Sequence, residues 1–423
     1  MPTLQVDVVL LILATSLSWA GGGMAQEPTE QVPGQRFEDL EKRLRHLQQE
    51  VDALKKDGSS SLEEEDSDEL EDPTFEALSM VARYAQVVAT FQIFGDVGLR
   101  YQNPEDPEPS HTEFSFGSLD FFVSAQLSDR LQILSETIIE GEGDELGLDQ
   151  ERLWAKWVFS DGFALKAGMG HTPMTRWNRL FHHGKWLELT IERPFLALFE
   201  DDGGFVPMHY VGLEASGRLS SSLGSLEYVG VLSNGRGPDP TDRQRVDDLN
   251  DSKAVTLQAT LAPHCCEGLQ FGGSAHLDQI PGREGDPQRA RSIRETILGG
   301  FISLEKGPWT ALAEALFLQH HDRSADATFH HSSAYVQVGH RLGEWTPYAR
   351  FDVRSMERDD PFYSPESLEL DRFETLAGVR YDFVDNAALK FELGSGRFED
   401  RDPGGRISHR SFLSLAAQLA FAF

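Results

Sequence analysis

The sequence predicts an all-β, antiparallel transmembrane barrel of about 16 strands behind an N-terminal α-helical coiled-coil stalk. Three observations carry this. From about residue 90 onward apolar and polar residues alternate with a period of two, as strands with unlike faces require. Ahead of that point apolar residues recur at spacings of three and four, the signature of a helix. After residue 20 no run approaches the roughly 18 apolar residues that a membrane helix needs, and mean hydropathy is −0.37.

Residues 1–25 read as a secretory signal peptide. The apolar core Val8-Val9-Leu10-Leu11-Ile12-Leu13 is followed by small residues and Gly23-Met24-Ala25, although Asp7 stands where a basic residue is usual. Residues 35–57 read as a periplasmic coiled coil. Phe37, Leu40, Leu44, Leu47, Val51 and Leu54 occupy a and d positions, and Glu41, Arg43, Glu50 and Lys55 border them. Three heptads are short for an independent coil, but copies held by an oligomeric barrel have a high effective concentration. The expectation is a trimeric oligomerisation stalk, the alternative being one amphipathic helix lying on another surface. Residues 58–73, dense in Ser, Glu and Asp, cannot bury a core and read as an extended acidic linker.

Residues 90–423 read as the barrel. Phe91, Ile93, Val97 and Leu99 alternate with Gln92, Asp96 and Arg100; Leu119, Phe121, Val123, Ala125 and Leu127 alternate with Asp120, Ser124 and Gln126. Leu153, Ala155, Trp157 and Phe159 likewise oppose Arg152, Trp154 and Lys156, while Val255, Leu257, Ala259 and Leu261 oppose Thr256, Gln258 and Thr260. Short turns are readable at 128–130, 160–162, 219–224, 263–268, 305–308, 342–344 and 384–387. Long polar connections lie at 103–113, 141–150, 171–206, 234–251, 279–291, 321–327, 357–366 and 399–407. Seven turns and eight loops join sixteen strands, a size that leaves an aqueous channel. Three stretches fit the period poorly. Residues 292–304 and 309–318 are apolar on both parities in places, and Val229 and Val231 fall out of phase in 226–233. The last strand sets Leu413, Leu415, Leu419, Phe421 and Phe423 on one face, with Leu419, Phe421 and the terminal Phe423 as the expected barrel-assembly signal.

Signal peptide, heptad stalk, alternating barrel and terminal Phe together resemble a bacterial outer-membrane porin. The segment Gly168–Gly237, with its Trp- and His-rich loop and Tyr228-Val229-Gly230-Val231-Leu232-Ser233-Asn234-Gly235-Arg236-Gly237, is similar to the porin O/P, phosphate-selective porin-like type. The resemblance implies a passive channel in the outer membrane, a homotrimer whose third outer loop folds into the pore, with small hydrophilic solutes and membrane lipids as its other partners.

Selectivity is expected to reside in that loop, His171–Val206, whose 36 residues exceed any hairpin and whose Trp177, Phe181, Trp186, Phe195 and Phe199 argue for order. Its first half carries Arg176, Arg179, His182, His183 and Lys185, and its second half Glu188, Glu192, Glu200, Asp201 and Asp202. Opposed charges across a constriction would orient dipolar solutes; the alternative is that they pair within the loop and hold its shape. Lumen parity adds Arg100, Arg152, Lys156, Lys166, Arg350, Arg354 and Arg380, together with Asp96, Asp120, Glu136 and Asp352. A lining of both signs fits anionic or zwitterionic solutes better than a dedicated phosphate ladder.

Histidine pairs at 182–183, 320–321 and 330–331 have no accompanying Cys or fixed carboxylate spacing, so they read as polar loop positions and no metal or cofactor is expected. Adjacent Cys265 and Cys266 cannot staple distant segments. A net charge of −31 excludes nucleic acid as partner. No Ser, His and acid cluster assembles with the parity a barrel hydrolase needs, so the chain reads as a non-enzyme. The rivals left open are such an outer-membrane enzyme and an envelope tether, in which stalk and linker would fix the barrel to a periplasmic component.

Overall fold

Each stretch of period-two alternation becomes a strand bonded to its sequence neighbours, and in the computed structural model sixteen of them close into one antiparallel barrel. The structure describes residues 88–104, 111–142, 145–182, 184–200, 202–242, 246–286, 289–363, 371–401 and 406–423. The expected signal peptide, coiled coil and acidic linker lie outside the described residues, as do His183 and Asp201. The strands are β1 Val88–Pro104, β2 His111–Gln126, β3 Leu131–Glu142, β4 Glu145–Ser160, β5 Phe163–His171, β6 His209–Ser220, β7 Gly224–Ser233 and β8 Ala254–Pro263. They continue with β9 Leu269–Ile280, β10 Ile293–Lys306, β11 Trp309–Asp322, β12 Ala327–His340, β13 Trp345–Met356, β14 Arg372–Val384, β15 Ala387–Arg401 and β16 Ile407–Ala422.

All seven short turns fall where the sequence puts them, and they gather at one end of the barrel, the turn end. At that end β16 closes the ring against β1: Leu419 pairs with Val97, Phe421 with Gly95, and the Ile93 and Phe423 backbones exchange hydrogen bonds of 2.8 and 2.9 Å. Outward side chains form a continuous apolar surface that includes Phe91, Val97, Leu99, Leu153, Leu257, Leu298, Ile302, Phe351, Leu413 and Leu415, all exposed. Exposed Phe159, Phe163, Trp309, Trp345, Phe383 and Phe423 cluster near the turn end, with the Trp345 and Tyr381 rings stacked at 4.2 Å. A closed ladder with an apolar outer band and an aromatic border satisfies every strand's backbone while facing hydrocarbon.

Two boundaries differ most from the sequence expectation. The β3–β4 connection is a tight hairpin rather than a ten-residue loop: pairing runs on to Glu142 opposite Glu145, because Leu146 and Leu148 keep the alternation inside an acidic stretch. At the other extreme the β13–β14 connection extends to residue 371, beyond Glu366. The out-of-phase Val229 and Val231 point inward on β7 and pack with Tyr210 of β6.

Candidate functional site

The connection from β5 to β6, residues 172–208, lies within the barrel, and its own residues explain how it holds there. Thr175 accepts a hydrogen bond from the Asn178 amide at 2.9 Å and caps a short helix, α1 (Arg176–Leu180). The free amides of its first turn are met from the wall: Glu314 of β11 accepts from the Arg176 and Trp177 backbones at 2.6 and 2.9 Å, and from the Tyr335 hydroxyl at 2.8 Å. Trp177, Met174, Leu196, Phe205 and Met208 of the loop then pack into a buried cluster with Ile293 and Ile297 of β10 and Leu312, Leu316 and Leu318 of β11. Those wall residues are the ones that blurred the alternation at 292–318. Their inward faces are apolar because a dry protein segment, not water, covers them.

Around the rest of the ring the loop is held through its backbone. Lys390 donates to the Lys185 and Thr190 carbonyls at 2.6 and 3.0 Å, and Arg380 to those of Trp186 and Glu188 at 2.5 and 3.0 Å. Arg350 reaches the Glu192 and Arg193 carbonyls at 2.5 and 3.0 Å, and Arg354 that of Gly203 at 2.7 Å. Wall carboxylates take loop amides in turn: Asp120 from Gly184 at 2.8 Å, Glu392 from Ile191 at 3.0 Å, and Asp352 from Phe195 at 3.4 Å. Gly184 sits at φ +82° against the Phe94 ring, so a side chain there would be strained and crowded.

The loop leaves space on two sides. A cavity of about 990 Å³ opens along β1, β2 and β16, lined among others by Asp96, Arg100, Glu113, Lys185, Glu192 and Asp202. A second, of about 650 Å³, lies toward the turn end against β10–β14, with Arg176, Trp186, Arg341 and Arg380 in its wall. Glu188 lines both, its carboxylate 3.2 Å from the Lys185 ammonium.

The residues singled out from sequence therefore fall into distinct surroundings. Arg100 pairs with Glu192 across the larger cavity, and Asp202 faces it. Arg176 stands over the Phe301 ring at 5.6 Å, while Arg179 donates to Gln258 at 2.7 Å. Arg152 pairs with buried Glu136, and Lys166 with Glu214 at 2.6 Å; Lys156 lies opposite Lys166 in the β4–β5 register. Asp96 accepts from Gln418 at 2.9 Å and from the Ser118 amide at 3.0 Å. Arg350, Arg354 and Asp352 point inward as parity requires, yet all are at most 2% exposed beneath the loop. Inward parity and contact with solvent are thus separate properties. Glu200 is buried and accepts from the Met208 amide at 2.8 Å; burial pushes its carboxyl up to about 7 against the pull of His209 and Arg236.

Lys390, Glu392 and Glu314 are missing from the sequence-derived set. Each occupies an inward position on its strand, so extending parity to β11 and β15 would have found them. At the loop end His320 bonds Asp360 at 2.6 Å and Glu295 at 2.9 Å, His331 bonds Asp360 at 2.7 Å, and Arg236 pairs with Glu295 at 3.0 Å. Burial would raise the Asp360 carboxyl, but His320 and then His331 hold it well below the usual carboxylate range.

No family model matches the chain, and no curated protein does either. The fold does have solved counterparts, and it is that of the porin-like sixteen-stranded barrels. It is similar to the outer-membrane channel DcaP of Acinetobacter baumannii, with TM-score 0.55 and 11% identity over 80% of this chain and 98% of that one. An anion-selective porin from Comamonas acidovorans gives 0.56 and 9% over 79% and 100%, and OmpT, an outer-membrane protein of Vibrio cholerae in its trimer form, 0.52 and 9% over 79% and 100%.

Proposed function

We propose that the protein is an outer-membrane porin, a passive diffusion channel for small hydrophilic solutes of anionic or zwitterionic character. The observation that carries this reading is the inward loop: it divides the lumen into two cavities that share Glu188, so the barrel is narrowed without being filled. Lys185, Arg100 and Arg193 stand against Glu188, Glu192 and Asp202 around the larger space, and a field between opposite charges orders dipolar solutes as they pass. The outer band of apolar side chains and the likeness to barrels described as a channel and an anion-selective porin support a place in the bacterial outer membrane. The finer assignment to the porin O/P type rests on residues 168–237 of the sequence. Trimeric assembly rests on the heptads at 37–54.

The test is purified full-length protein in a planar bilayer under a salt gradient. Conductance steps in groups of three, with a reversal potential of defined sign, are the expected result. Folded protein that inserts and yields no steps overturns the channel. Deleting residues 37–72 is expected to preserve the single-pore step while weakening the trimer; loss of the step itself would give the stalk a role in the pore.

A further inference from the structure

Three histidines and one glutamate meet where the inward loop leaves and rejoins the wall. His171 ends β5 and His209 begins β6, and the two stand opposite each other in the β5–β6 register. His182 comes back from the loop beyond α1, and Glu151 reaches in from β4. The His209 Nε2 lies 2.6 Å and the His182 Nε2 3.5 Å from the Glu151 carboxylate. Ring centroids are 3.8 Å apart for His171 and His182 and 4.6 Å for His182 and His209. One donor atom from each of the four side chains falls within 4.8 Å of all the others, whereas donors about a tetrahedral zinc stand roughly 3.3 Å apart. Closing that gap takes side-chain movement of the order of an ångström. Glu151, His171 and His182 are at most 9% exposed.

The hydrogen-bond pattern fixes which atom His182 offers. The Asn178 amide nitrogen donates to the Thr172 and Met208 carbonyls, both at 2.9 Å, so its oxygen is the atom facing His182 Nδ1. Nδ1 must then carry a proton and donate it, and in the neutral ring Nε2 turns its lone pair toward the Glu151 carboxylate. A cation held between the two groups would draw on both lone pairs. Glu136 adds a further carboxylate 3.8 Å from His171 Nε2, and a single dication would take one donor from each of the four side chains with the imidazoles neutral. His320, by contrast, has a carboxylate at each nitrogen and an arginine beyond, and that cluster balances its charge unaided.

We propose that Glu151, His171, His182 and His209 form a binding site for one divalent first-row transition ion, zinc above all. Three nitrogen donors and one carboxylate oxygen suit zinc or copper and disfavour calcium and magnesium, which take oxygen ligands. The ion would pin both ends of the inward loop and its turn after α1 to the β4 wall. This assignment does not depend on whether the barrel conducts.

The test uses the full-length chain carrying Cys265→Ser and Cys266→Ser, since those two exposed thiols would also take up zinc. After chelation and desalting, zinc alone is titrated and metal content measured. One zinc per chain is expected, with Co²⁺ substitution giving the intense visible bands of a tetrahedral site. His182→Ala and His209→Gln are each expected to weaken binding by more than the roughly 10–100-fold that losing an outer partner costs, while His320→Ala leaves it unchanged. Heat-modifiable migration on a gel verifies that each variant is a folded barrel. If the variants do not fold, X-ray absorption on the unsubstituted histidine set decides: a shell of about four N/O donors near 2.0 Å with imidazole scattering supports the site. Folded protein that takes up no zinc, equal affinity in folded His182→Ala, or a six-oxygen shell overturns it.

Discussion

The two sides of the inward loop are built from opposite chemistry. Against β9–β13 it is glued: Trp177, Leu196, Phe205 and Met208 interlock with Ile280, Ile293, Ile297, Leu316 and Leu318, every one of them at most 3% exposed. Against β1, β2 and β16 it touches at Gly184, which Asp120 and the Phe94 ring hold, and beyond that contact leaves a cavity lined by Asp96, Arg100, Gln102, Glu113, Ser115 and Gln418. One side fixes the loop's position by excluding water, and the other keeps water and charge. An opening placed off-centre in this way has charged side chains along one wall and apolar packing behind the other.

The comparison is broken most severely at the glued side. Trp177→Ala should cost about 3–5 kcal/mol of packing, and because the barrel ladder does not depend on it, the loss should fall on loop docking. Larger conductance steps and faster proteolysis within 172–208 are expected; unchanged values for both would show that the cluster does not position the loop. Glu314→Ala comes next, at roughly 2–3 kcal/mol, since three donors, the Trp177 amide and Tyr335 hydroxyl among them buried, lose their acceptor together. It should loosen the start of the loop in hydrogen exchange while leaving 195–208 protected. The open wall gives the smallest energetic effect. Arg100→Gln removes one part-exposed ion pair and should change stability by less than about 1 kcal/mol. It should nonetheless move the reversal potential toward cations, because Glu192 is left facing the cavity without its countercharge. A shift toward anions would mean that this wall does not carry the field.

The same contrast explains what could be read from the chain. Strands β1, β8 and β16 alternate cleanly, since one face meets an apolar exterior and the other a polar interior. Residues 292–318 do not, because β10 and β11 turn apolar side chains both outward and toward the loop. Blurred alternation was therefore a record of the docking site. The charges of the loop were legible as residues but not as neighbours: nothing in spacing indicates that Arg350 and Lys390 would grip loop carbonyls rather than meet solvent. His171, His182, His209 and Glu151 lie on four separate segments, and only the β5–β6 register and the return of the loop assemble them. The pairs visible in sequence, at 320–321 and 330–331, led elsewhere, to the ion-pair knot around Asp360.

Arg350, Arg354, Arg380 and Lys390 hold the loop by its carbonyl oxygens. A carbonyl is supplied by every amino acid alike. The anchor points thus survive substitution of the residues they grip, and mutations that rewrite the charges at 185, 192 or 202 leave the span suspended where it was. The architecture separates what may drift from what must stay, and the charges around the cavity can change at a handful of tips without moving the loop.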